Sequence, residues 1–140
     1  MSDENWLADV TWAGDGVFLG SDFDGHVVVY DSADEKPKGI GPMRAVLTSL
    51  GACTGMDIVA ILKKRKQELK SLKVLLKGTR PKFGLPKPWQ SIEVKYLISG
   101  KNLKREFVDE AVNESMTKFC NVAATLRPGV KISHSYEITD

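Results

Sequence analysis

Ile40-Gly-Pro-Met-Arg-Ala-Val-Leu-Thr-Ser-Leu-Gly-Ala-Cys-Thr-Gly-Met-Asp-Ile-Val-Ala-Ile-Leu62 is the stretch whose reading decides the fold. Pro42 suits a first helical turn, and from there apolar residues recur at helical spacing at Leu47, Leu50, Ile58, Ile61 and Leu62. Ala45, Val46, Ala52, Cys53, Met56, Val59 and Ala60 fill much of the remaining circumference. The stretch therefore predicts a central helix over residues 42–66, apolar nearly all round and covered on nearly all sides. Beyond it comes Lys63-Lys64-Arg65-Lys66-Gln67-Glu68-Leu69-Lys70, whose cations complement the negative end of the helix dipole. That run reads as a solvated helix exit rather than a nucleic-acid patch.

Toward the amino terminus the pattern is that of strands. Residues 6–12, 17–20 and 26–30 are separated by Gly14-Asp15-Gly16 and Asp24-Gly25 turns and predict an antiparallel meander, followed by a polar loop at residues 31–41. Toward the carboxyl terminus, strands are expected at 72–78 and 92–99, the second alternating Ile92, Val94, Tyr96 and Ile98 against polar partners. The proline-rich 80–89 segment between them cannot itself join a ladder. A helix over about 104–118 follows, with Phe107, Val108, Ala111, Val112 and Met116 on its buried face, then a short one at 120–126. The last strand sets Val130, Ile132, His134, Tyr136 and Ile138 on one face. This order is an α+β pattern, read as a single domain over residues 1–140 without internal repeats. A single copy has little material to cover an all-round apolar helix, and a second copy would supply it.

Composition excludes several function classes. With 42% hydrophobic and 27% charged residues the chain is globular, and a formal net charge of +2 argues against nucleic acid or a membrane surface as partner. The start, Met1-Ser-Asp-Glu-Asn-Trp-Leu, is acidic and lacks the basic and apolar regions of a secretory signal, so a cytosolic protein is expected. No apolar run is expected to reach a membrane span of about 20 residues, because Ser49, Gly51, Thr54 and Asp57 interrupt the longest one. In a reducing compartment Cys53 and Cys120 are either small buried side chains or reactive thiols. His26 and His134 have no closely spaced Cys or His beside them, so no metal or other cofactor is expected, and both read as structural.

The 40–62 stretch resembles the central helix of OsmC/Ohr proteins, which carries a small-residue pair before a first cysteine, here Gly51-Ala52 before Cys53. Lys118-Phe-Cys-Asn-Val-Ala-Ala-Thr-Leu126 resembles the family's second cysteine motif, and Gly25-His-Val-Val-Val-Tyr-Asp31 and the strand at 132–138 also match. The resemblance implies an OsmC-like fold: an intertwined homodimer with two long central helices enclosed by antiparallel sheets. It also implies reduction of organic hydroperoxides, with Cys53 the peroxidatic thiol, Cys120 the resolving thiol and an external dithiol as reductant. The alternative is a noncatalytic dimer that binds a small apolar ligand or partner in the thiol pocket.

Two departures from the family's peroxidases stand out. Their arginine in an early loop is missing from Thr11-Trp-Ala-Gly-Asp-Gly-Val17, and Arg44 stands where their glutamate would hold it. Nine residues of regular helix turn Arg44 about 180° from Cys53, so it reads as a surface or interface cation. Asp57, four residues after Cys53, shares its face, and an unpaired carboxylate there would raise the thiol pKa.

Overall fold

A computed structural model describes residues 6–139. They form two compact units that divide at Val46 and Leu47. In the first, β1 (Asp9–Trp12), β2 (Val17–Ser21) and β3 (Val27–Asp31) make the antiparallel meander that the glycine turns predict. β1 is shorter than expected, residues 6–8 lying outside the ladder. Gly25 takes a positive φ of 95° at the β2–β3 turn, where a side chain would be strained. Asp31 is the buried polar residue of this unit. Its carboxylate accepts the backbone N–H groups of Lys38 and Ala33, which hold it below the usual carboxylate range and fold the following loop back.

The long helix α1 (Pro42–Lys64) confirms the central-helix reading but stops two residues early. Its end is a reciprocal cap: Gln67 N–H reaches Leu62 O, Lys66 N–H reaches Lys63 O, and Lys66 has φ +57°. Within the second unit, Leu50, Gly51, Thr54, Gly55, Ile58 and Leu62 are buried, whereas Met56 is 71% exposed and Val59 43%. The expectation of a helix covered on nearly all sides is thus corrected for the single chain: one face is packed and the other open. α1 is also long and apolar enough by composition to cross a membrane, which overturns the expectation drawn from its polar interruptions. Those interruptions are few and small, and Thr54 returns its hydroxyl to the Leu50 and Gly51 carbonyls.

The second unit continues with β4 (Glu68–Thr79), β5 (Ser91–Lys101), α2 (Arg105–Glu114), a π-helical turn (Ser115–Phe119), α3 (Asn121–Leu126) and β6 (Lys131–Thr139). β4 starts four residues sooner than predicted, because the end of the basic run already pairs with β5, across an irregularity between Leu69 and Ser71. The sheet order is β4-β5-β6, with β4 antiparallel and β6 parallel to β5. The expectation of purely antiparallel sheets is therefore corrected: the helical segment between β5 and β6 provides the long crossover that a parallel pair needs. Leu50, Ile58 and Leu62 of α1 form one core with Ile92, Val94, Tyr96 and Ile98 of β5 and Val108, Ala111 and Val112 of α2. Gly51 lets α1 lie close to the sheet, since a Cβ there would come within 2.9 Å of Leu76 and 3.4 Å of Val74.

Candidate functional site around two thiols

Cys53 sits in the fourth turn of α1, half-buried, and Cys120 is buried with 2% of its surface exposed. Both are free thiols, and the fold brings them close enough for Cys53 to influence Cys120, although they are far apart in sequence. Cys120 is the N-cap of α3, where its Sγ accepts the Ala123 N–H at 3.3 Å, a place usually filled by a hydroxyl or carboxylate. Burial, and next the contact with Cys53, push the Cys120 thiol up to about 11; the N–H groups of Ala123 and Val122 pull the other way and lose. At neutral pH Cys120 is accordingly protonated.

A buried polar cluster backs the pair. Ser115, fully buried, is within hydrogen-bonding distance of Thr54 O at 3.0 Å and of Asp57 Oδ2 at 2.9 Å. Its carbonyl accepts the Cys120 N–H at 2.9 Å, the wide hydrogen bond that makes the turn π-helical. Tyr96 is also fully buried; its hydroxyl lies near that of Thr54, too loosely for a hydrogen bond. Burial foremost pushes the Tyr96 phenol up to about 12, with the charges of Cys120 and Asp57 acting in the same direction.

The fold thus unites Cys53, Cys120 and Asp57. The partner given to Asp57 is the Ser115 hydroxyl. His26 lies in the first unit, its Nδ1 2.6 Å from Asp22 Oδ2, and His134 Nε2 is 2.9 Å from Asn113 Oδ1 on α2. Neither pairing involves a thiol. Ser115 and Tyr96 do not stand out as site residues in the sequence. Tyr96 carries the apolar phase of its strand, and Ser115 sits on the expected inner face of its helix beside Met116, so a polar residue in the buried phase was the available signal.

A family model described as OsmC-like protein matches residues 34–135. The chain belongs to the OsmC-like family. It is 35% identical to Protein YhfA of Escherichia coli K12, over 94% of this chain and 96% of that one. A solved structure from Aquifex aeolicus VF5 is similar at 31% identity with a TM-score of 0.80, each chain covered in full. The organic hydroperoxide resistance protein OhrB of Bacillus subtilis shares the fold at 20% identity and a TM-score of 0.64, over 94% of this chain and 98% of that one.

Proposed function

We propose that this OsmC-like protein reduces organic hydroperoxides through Cys53 and Cys120, as a cytosolic homodimer served by an external dithiol, and that neither nucleic acid nor a membrane is a partner. The observation that carries this reading is the thiol pair itself, one sulfur half-buried and the other enclosed against it. The half-buried sulfur can meet a substrate. The enclosed one, held protonated by burial, is poorly placed to attack a peroxide and well placed to resolve the product. The Cys53 thiolate attacks the distal peroxide oxygen, the O–O bond breaks, and the alkoxide leaves and takes up a proton. Cys120 then attacks the sulfenic sulfur; its proton leaves with the hydroxyl as water and a disulfide remains. An external dithiol returns both thiols and becomes a disulfide itself.

Without the early-loop arginine, turnover should be slower than in family members that have it, because the departing oxygen loses a partner in the transition state. Cumene hydroperoxide consumption with a dithiol reductant tests the reading. Cys53→Ser should abolish turnover, whereas Cys120→Ser should leave one round and trap sulfenic acid, or its overoxidised products, at Cys53. A wild type no faster than Cys53→Ser would replace the enzyme with the noncatalytic reading, an apolar ligand or partner bound in the thiol pocket.

A further inference from the structure

Ser115 contributes to the site at two points. Its side chain touches the backbone of α1 at Thr54, the residue that follows Cys53, and the carboxylate of Asp57 one turn later. Its main chain receives the amide of Cys120. One fully buried residue thereby joins the backbone beside one thiol to the backbone of the other. A regular α-helical continuation would have given the amide at 120 to the carbonyl at 116 instead, displacing Cys120 along the turn. The hydroxyl has a single proton for two acceptors on α1, so the π turn is tied to that helix by a polar contact that an apolar side chain could not make.

We infer that Ser115 is a positioning residue for the thiol pair, setting the approach of Cys120 to Cys53 through its contacts with Thr54 and Asp57 and thereby governing how readily the disulfide closes. The inference deepens the proposed thiol chemistry and rests on the two cysteines closing a disulfide, though not on a peroxide being the oxidant. Oxidised glutathione is a suitable probe. The Cys53 thiolate displaces one glutathione to give a mixed disulfide, and the Cys120 sulfur then attacks Cys53, expelling the second. The protein gains one disulfide and two reduced glutathiones result.

In glutathione redox buffers, Ser115→Ala should lower the equilibrium constant for closure about tenfold or more relative to wild type, with the singly glutathionylated form accumulating, because effective concentration depends on fixed geometry. A value within twofold of wild type overturns the inference, whatever happens to the melting temperature, since a merely structural serine would cost stability without moving this equilibrium. Should Ser115→Ala fail to fold, Ser115→Thr, which keeps the hydroxyl, should close at least threefold more favourably than Ser115→Gly, which lacks it; equal values overturn it. Closure in glutathione with no hydroperoxide turnover would remove the peroxidase reading and leave this one standing.

Discussion

Tyr96 carries a cost that the core must offset. Its hydroxyl is buried and unpartnered, and such a group forfeits its hydration without return. Tyr96→Phe should therefore stabilise the protein by about 1 kcal/mol at neutral pH, measured by urea unfolding. The pH dependence has a definite sign. The folded phenol is raised from an ordinary 10.0 to about 12, so its contribution is intact below pH 10 and is lost as the pH rises toward 12. Cys120, raised to about 11, acts in the same direction from about pH 9 upward. The advantage of Tyr96→Phe should thus widen above pH 10, by up to about 1.4 kcal/mol per pH unit, when both proteins are kept reduced. A variant less stable than wild type at neutral pH would mean that the hydroxyl has a partner. The alternation of β5 shows that Tyr96 points inward; it cannot show what a phenol meets there, because that depends on Thr54, brought in from another element.

Among the elements, the ones announced by spacing formed: α1 from its recurring leucines and isoleucines, β5 from strict alternation, the meander from its glycine turns. What escaped was hydrogen-bond geometry. The π turn at Ser115–Phe119 lies within what spacing reads as the end of one regular helix, and Cys120, expected as the first residue of the next helix, is its N-cap. Likewise, β6 alternates identically whether parallel or antiparallel, so only the crossover settles its direction. The end of α1 is similar, hidden inside a basic run that reads as one polar block. There Lys66 occupies the left-handed position usually given to glycine. Lys66→Gly should relieve that strain and stabilise the protein by about 0.5–1 kcal/mol in thermal or urea unfolding, after the added freedom of the unfolded chain is counted. In contrast, Gly100→Ala should be disruptive, since its Cβ would stand 2.2 Å from the Glu68 carbonyl oxygen, a backbone atom held in the ladder. Loss of soluble, folded protein or a large drop in melting temperature would register it.

For the whole molecule, the motive for the homodimer proposed above is the apolar surface that a single chain leaves open. Met56 and Val59 lie on the open side of α1, and Val10, Trp12, Phe18, Val27 and Val28 of the first unit are exposed as well, so much apolar surface faces water in one copy. The all-round apolar character of α1 was legible in its sequence; which side its own chain covers was not, because the buried side is chosen by Gly51, Gly55 and Thr54, small residues that permit close approach. A second copy would cover the rest. The double variant Met56→Glu with Val59→Glu separates the alternatives. If the protein works as a monomer, both positions are solvated and the change should cost no more than about 0.5 kcal/mol. If two copies meet along this face, the carboxylates would be buried without partners, and the dimer should dissociate or the fold fail. Sedimentation of wild type at micromolar concentration should give a dimer that the double variant loses, whereas a stable folded monomer, indifferent to the two glutamates, would refute it.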